Sequence, residues 1–312
     1  MSKIVILGGG ESGVGSAILA QAKGFDVFLS DKGALQDKYK AELDQYGIPY
    51  EENQHSEDII LSANEIIKSP GIPNYAPLVK KAIEKGIPIL SEMEFAKRYT
   101  NAKMICITGS NGKTTTTSLI YHILKNADLN VGLGGNIGRS FARQVAEENF
   151  DYYVLELSSF QLENMYTFKA DIAILLNITP DHLDRYDHDM QNYVDAKMRI
   201  VQNQTEEDAF IYWEEDPIIS REISRITSSA KQYTFAEHRT GHSAAYATNK
   251  EVIINTAKSV FTMDQEALSL SGTHNLYNSL ASGIAAKLLD ISDDNLRQSL
   301  SDFEGVEHRL ER

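Results

Sequence analysis

Met104-Ile105-Cys106-Ile107-Thr108-Gly109-Ser110-Asn111-Gly112-Lys113-Thr114-Thr115 decides how this chain folds. An apolar run suited to a buried strand enters a turn flanked by Gly109 and Gly112. Lys113 and Thr114 then stand where a helix should begin. Turn amides and a helix N-terminus together form a nest of N–H groups that binds phosphate. Lys113 adds a point charge for the outer phosphates, and the Thr114 hydroxyl can join a Mg²⁺ shell. Ile107 occupies the place of the first glycine in G-x-x-x-x-G-K-[ST], so the turn is a variant of the phosphate loop. The pattern points to ATP held by Gly109, Ser110, Asn111, Gly112, Lys113, Thr114 and Thr115, and leaves the reaction open. The bland alternative is a Gly/Asn turn ahead of an ordinary helix.

Working outward, 312 residues suit about two domains, each able to bury its own core. Hydrophobic content of 42% and charged content of 24% are those of a globular protein. A net charge of −14 argues against broad binding to nucleic acid or to an anionic membrane, while leaving phosphorylated small molecules open. The single cysteine, Cys106, allows no intramolecular disulfide and no Cys-based metal site, and its strand setting reads as core. No apolar run approaches the roughly 18–20 residues of a membrane span. Without a signal-peptide pattern, a cytoplasmic monomer is expected.

The N-terminal stretch reads as βαβ. Ile4-Val5-Ile6-Leu7 is a buried strand, Gly8, Gly10 and Gly13 form G-x-G-x-x-G, and a helix runs to about Lys23. A second strand ends at Asp31, about 20 residues on, as in dinucleotide-binding folds. The same glycines also serve helix–strand packing and any anion at the helix N-terminus. Ile66-Ile67 leads into the rigid turn Ser69-Pro70-Gly71, Ile87–Leu90 closes the unit, and residues 92–99 read as a connecting helix. In the second α/β unit a helix spans roughly 113–126 and residues 132–138 read as a glycine-dense loop. Tyr152-Tyr153-Val154-Leu155-Glu156 and Ile172–Asn177 are continuous apolar runs, as central parallel strands require. Residues 233–263 suggest short antiparallel strands, followed by helices near 275–289 and 293–300.

Glu156 closes its strand where phosphate-loop proteins place a Mg²⁺-directed acid. Asn177-Ile178-Thr179-Pro180-Asp181-His182-Leu183-Asp184 ends the next strand with several potential ligands, among them His182. Lys197 falls on an expected helix, where most lysines are simply solvated. The alternatives left open by the residues alone are a nucleotide-binding module without catalysis and an NAD-dependent dehydrogenase.

The chain resembles the Mur ligases of peptidoglycan synthesis. The resemblance rests on Gly109–Thr114, Gly134-Gly135-Asn136-Ile137-Gly138, Glu156-Leu157-Ser158-Ser159-Phe160-Gln161-Leu162-Glu163 and Asp181-His182-Leu183-Asp184-Arg185-Tyr186. Ala196-Lys197, Gly272-Thr273-His274-Asn275 with Asn278, and His308-Arg309 complete it, in family order across nearly the whole chain. Ser-Ser-Phe-Gln-Leu favours the branch that adds D-glutamate to UDP-N-acetylmuramoyl-L-alanine. Another Mur-type amide ligase, or a folylpolyglutamate synthetase, is the alternative within the superfamily. The implied fold is α/β, with a Rossmann-like UDP-substrate domain over 1–93 and a phosphate-loop ATPase domain over 94–305. Residues 306–312 would begin a linker to the family's C-terminal domain, which these 312 residues are expected to lack. The 312 residues alone would then be a substrate-binding fragment with little or no ligase activity.

The resemblance assigns the UDP moiety to Gly10, Glu11, Ser12, Gly13, Asp31, Lys32, Ser69, Pro70 and Gly71, and further substrate contacts to Asn136 and Ser158. Glu11 departs from what a diphosphate would favour. It implies an acyl phosphate made from ATP and the muramoyl-alanine carboxylate, then attacked by the D-glutamate amine. Lys113, Glu156, His182 and Lys197 would be catalytic. Two Mg²⁺ ions would be held through Thr114, Glu156, His182 and a carbamylated Lys197. Asn275, Asn278 and Arg309 match positions that contact ATP.

Overall fold

Two parallel sheets organise the computed structural model, which describes residues 1–257 and 259–305. Arg309 therefore lies outside the described residues. One unit gathers Met1–Asn101, Gly138–Asn149 and Ser159–Phe168; the other gathers Ala102–Ile137, Phe150–Ser158 and the chain from Lys169 onward. The division is not a single cut in the chain.

In the first unit the elements are β1 (Lys3–Leu7), α1 (Glu11–Ala22), β2 (Asp26–Ser30), α2 (Asp37–Tyr46), β3 (Tyr50–Glu51) and α3 (Glu57–Ile60). β4 (Glu65–Lys68), α4 (Pro77–Glu84), β5 (Ile89–Leu90) and α5 (Glu92–Lys97) follow, with α7 (Phe141–Glu147) and α8 (Ser159–Leu162) joining from later in the chain. The strands pair in parallel in the order β3-β2-β1-β4-β5. Leu7 is in register with both Ser30 and Lys68, so the strand order reverses direction between β1 and β4. Crevices at such a reversal, beyond the strands' carboxyl ends, are where these sheets take ligands. Gly13 permits α1 to settle on β1, because a Cβ there would lie 1.9 Å from Gly8 O. Residues 13–20 of α1 are all buried, since α5 and α7 cover the face that β1 does not. Glu94 fastens the same layer: it accepts hydrogen bonds from the Tyr166, Thr167 and Phe168 amides at 2.9–3.1 Å and from Thr167 Oγ1 at 2.5 Å.

The second unit opens with β6 (Lys103–Thr108), α6 (Lys113–Asn126), β7 (Val131–Gly135), β8 (Tyr152–Glu156) and β9 (Ile172–Leu175). α9 (Met190–Met198), β10 (Ala209–Trp213), α10 (Pro217–Ile223), β11 (Lys231–Phe235), β12 (Ala245–Ala247), β13 (Glu251–Asn255) and β14 (Val260–Asp264) come next. α11 (Thr273–Leu288) and α12 (Asp293–Asp302) complete it. The nine strands run β14-β13-β12-β11-β10-β9-β6-β8-β7, parallel except where β12, β13 and β14 pair antiparallel. Cys106 is buried in β6, between β8 and β9. The first half of the glycine-dense stretch is not a loop: residues 131–135 form the edge strand β7, in register with β8 from Val131↔Tyr152 to Gly135↔Glu156. Glycine is a poor strand former, and here pairing with β8 overrides that preference. β11, expected among antiparallel strands, instead extends the parallel set beside β10.

Candidate active site

The strand ends Thr108, Glu156 and Leu175 lie side by side, because Ile107 is in register with Glu156 and Thr108 with Leu175. The phosphate loop starts from the middle one. Gly112 caps α6 with φ +85, a left-handed conformation that favours glycine. A Cβ there would also stand 2.5 Å from Asn278 Oδ1. Asn278, buried on α11, accepts a hydrogen bond from Thr116 Oγ1 at 3.1 Å and donates to Asn275 Oδ1 at 3.3 Å. Both expected ATP-directed asparagines thus stand beside the start of α6.

The loop is braced by the chain that follows β9. Ser110 N–H donates to Asn177 O, Asn111 N–H to Asn177 Oδ1 and Thr179 N–H to Ser110 Oγ, each at 2.9 Å. The Tyr193 hydroxyl lies 3.0 Å from Ser110 Oγ. Asn177, Thr179 and Tyr193 are thus supports that the sequence reading does not single out. Polar residues after an apolar strand are the only signal, and that signal does not separate a brace from a ligand.

Two ammonium groups converge inside the loop. Lys113 Nζ donates to Gly109 O and Ser110 O at 2.9 Å, and Lys197 Nζ donates to Gly109 O at 2.7 Å. Lys197 is 2% exposed and lies over the Tyr193 ring. Burial first, and the Lys113 charge second, pull its pKa down to about 7, against the opposing pull of Asp181 and Glu156. Lys113 is lowered by burial too, with Glu156 and Asp181 opposing.

Glu156 is 1% exposed at the end of β8. Thr114 Oγ1 donates to its Oε2 at 2.9 Å, and Asn136 Nδ2 donates to its Oε1 at 2.8 Å. Asn136, expected at the substrate, here orients this carboxylate. A hydroxyl and a carboxylate oxygen side by side suit Mg²⁺, which takes one or two carboxylates and completes its shell with phosphates and water. His182 sits in a left-handed turn with its side chain 56% exposed, 3.4 Å from Asp181. Among the described residues no three His, Cys, Asp or Glu side chains are grouped to hold a metal. Ser158 follows β8, half-buried.

The first unit carries a cavity of about 600 Å³ lined by Gly8, Gly9, Gly10, Asp31, Lys32, His55, Ser69 and Gly71, among others. It gathers five of the expected UDP-directed residues; Glu11, Ser12, Gly13 and Pro70 are not in its lining. Asp31 braces the glycine loop, accepting from Gly9 N–H at 2.6 Å and Gly33 N–H at 2.7 Å. The acid at Glu11 has its own partners: the Ser140 amide at 3.2 Å and Arg143 Nε at 3.7 Å.

Comparison with known proteins bears on both units. Residues 107–286 match the Mur ligase middle domain, and residues 2–91 match the Mur ligase MurD-like N-terminal domain. The chain belongs to the Mur ligase family. Over all 312 residues it is 64% identical to the UDP-N-acetylmuramoylalanine–D-glutamate ligase of Bacteroides fragilis, of which it spans 70%. The enzyme of the same name from Porphyromonas gingivalis is 58% identical over 311 residues, 99% of this chain and 69% of that protein. The UDP-N-acetylmuramate:L-alanyl-gamma-D-glutamyl-meso-diaminopimelate ligase from Neisseria meningitides superposes with a TM-score of 0.69 at 19% identity, covering 98% of this chain and 99% of that one. That likeness establishes the shared fold of this Mur ligase. No helix among the described residues is long and apolar enough to cross a membrane.

Proposed function

We propose that this Mur ligase joins D-glutamate to UDP-N-acetylmuramoyl-L-alanine at the expense of ATP, in the cytoplasmic stage of peptidoglycan synthesis. One observation carries the reading: Lys113 and Lys197 converge on Gly109 beside the Thr114–Glu156 oxygen pair, in a chain 64% identical to a ligase of that name. The UDP moiety is assigned to the first unit's cavity, with Gly10 and Ser69 at the diphosphate and Asp31 and Lys32 toward the base.

Making an acyl phosphate brings a carboxylate against the γ-phosphate, so positive charge must be concentrated between two anions. Lys113 provides it by turning from the Gly109 and Ser110 carbonyls to the phosphate oxygens. The loop amides hold the β-phosphate, and Asn275 and Asn278 support the nucleotide end of α11. Thr114 and Glu156 would hold Mg²⁺, with Asn136 fixing the carboxylate; bound there, the ion would supply positive charge to offset that of the phosphates. The carboxylate oxygen bonds to the γ-phosphorus as the bond to the ADP oxygen breaks. The D-glutamate amine then bonds to the acyl carbon, releases a proton, and phosphate leaves.

Lys197 is assigned to carbamylation. Its lowered pKa supplies the neutral amine, whose nitrogen bonds to the carbon of CO₂ and loses a proton, leaving an anionic carboxylate beside the loop. His182 is assigned to a second ion. Calorimetric titration with UDP-N-acetylmuramoyl-L-alanine, ATP and NAD tests the reading. Binding of the first two is expected; binding of NAD in place of the UDP-sugar would overturn it.

A further inference from the structure

An aromatic cluster in the second unit has no part in the chemistry above. Trp213 ends β10, in register with Phe235 at the end of β11. Its ring lies 4.9 Å from that of Tyr277 on α11, with the planes 31° apart. The Phe235 and Tyr277 ring centroids are 6.3 Å apart. Trp213 and Tyr277 are both half-buried, so part of this aromatic surface stays open. Two carboxylates border it: Trp213 Nε1 donates to Glu215 Oε2 at 3.1 Å, and the Tyr277 hydroxyl donates to Glu237 Oε2 at 3.2 Å.

Position links this surface to the phosphate loop. β10 lies two strands from β6, with Tyr212 beside Leu175 and Leu175 beside Thr108. Two strand spacings make about 10 Å, of the order of the distance from a nucleotide's outer phosphates to its base. Tyr277 also directly precedes Asn278, which accepts from Thr116 on the loop's helix. Both ends lie at the carboxyl edge of the parallel strands, where such sheets take ligands. Charge sets a direction along it. Lys113 and Lys197 mark one end, while Glu215 and Glu237 repel phosphate from the other and leave it for an uncharged aromatic group.

We propose that Trp213 and Tyr277 form the stacking platform for the purine base of the nucleotide whose phosphates occupy the Gly109–Thr114 loop. This rests on the assignment of ATP to that loop. Base-on-aromatic stacking is sequence-tolerant, because every base has a π-face. The platform therefore adds affinity for a base and does not by itself choose adenine over guanine.

Trp213 is the chain's single tryptophan, so its emission reports on the platform alone. ATP with Mg²⁺ and, separately, inorganic tripolyphosphate with Mg²⁺ are titrated into the protein, with calorimetry giving affinity and fluorescence reading Trp213. ATP is expected to change the emission saturably, with the calorimetric midpoint. Tripolyphosphate is expected to compete with ATP and leave the emission unchanged. Trp213→Leu should weaken ATP binding on the order of tenfold and leave tripolyphosphate binding as it was. Trp213→Phe, which keeps a ring, and Tyr277→Leu guard against a folding defect: the first should retain most of the affinity and the second should lose it. ATP binding that leaves both the emission and the Trp213→Leu affinity unchanged would overturn the platform and spare the phosphate loop. Absence of ATP binding to the unaltered protein would overturn both.

Discussion

Replacing Lys113 by Ala removes the one side-chain charge that the phosphate loop aims at the nucleotide's outer phosphates. A hydrogen bond to a charged group is worth about 1.5–3 kcal/mol, and about 1.4 kcal/mol is a factor of ten in affinity. A bare estimate therefore runs from roughly tenfold to a hundredfold. One feature of the structure draws it to the lower end. Nζ already donates to Gly109 O and Ser110 O at 2.9 Å, so phosphate replaces contacts instead of filling a gap. The expected loss is about tenfold for ATP, smaller for ADP, and nil for AMP, which lacks the outer phosphates. Calorimetric titration with the three nucleotides in the presence of Mg²⁺ measures the series. An unchanged ATP affinity in a variant with a native circular-dichroism spectrum would refute the reasoning. An equal loss for AMP would also refute it, because it would point to a general collapse of the loop.

Asn136→Ala frees Glu156 Oε1 and should weaken Mg²⁺-dependent ATP binding on the order of tenfold or more, read by titrating Mg²⁺ at fixed ATP; binding without Mg²⁺ should not change. Lys197→Met tests the buried amine. Its folded pKa of about 7 lies below the unfolded value, so burial of the charge costs stability in full below pH 7. That cost fades as pH rises toward the unfolded pKa, so the variant's gain in urea midpoint over the parent should be largest in acid and vanish in alkali. Glu94→Gln should destabilise the first unit by about 1–3 kcal/mol or more, since three backbone amides lose a charged acceptor. Burial pushes the Glu94 carboxyl up, but the Thr167 hydroxyl and the amides of residues 166–168 outweigh it and hold the pKa below the ordinary range. Its stabilisation is therefore present above the unfolded carboxylate pKa and lost as pH falls through the lower folded one, and the variant should flatten that acid limb in urea melts.

Much of the site can be read in the sequence because its signals are local. The strand, glycine turn and helix start around Lys113 are contiguous, and α6 spans Lys113–Asn126 as its pattern implies. Glu156 follows an unbroken apolar run, so both its burial and its place at a strand end are legible. What is not legible depends on partners distant in sequence. The hydrogen bond from the Asn136 amide to Glu156 depends on β7 pairing with β8. Glu11 reads as out of place beside a diphosphate until α7 supplies Arg143 and the Ser140 amide. The edge strand β7 is hidden by its own glycines. Ala209-Phe210-Ile211-Tyr212-Trp213 carries a strand signal, yet only its pairing with β9 and β11 places Trp213 on the same sheet edge as the phosphate loop.

The central claim is that the muramoyl-alanine carboxylate, and not water, takes the γ-phosphoryl group of ATP. Supplying UDP-N-acetylmuramoyl-L-alanine with ¹⁸O in its terminal carboxylate tests this directly, with mass spectrometry of the phosphate released alongside ADP. An oxygen that attacks phosphorus stays with the phosphate when the acyl carbon is later attacked by D-glutamate or by water. One ¹⁸O in each phosphate released with amide is the predicted result. Amide formed alongside phosphate that carries no ¹⁸O would contradict the account.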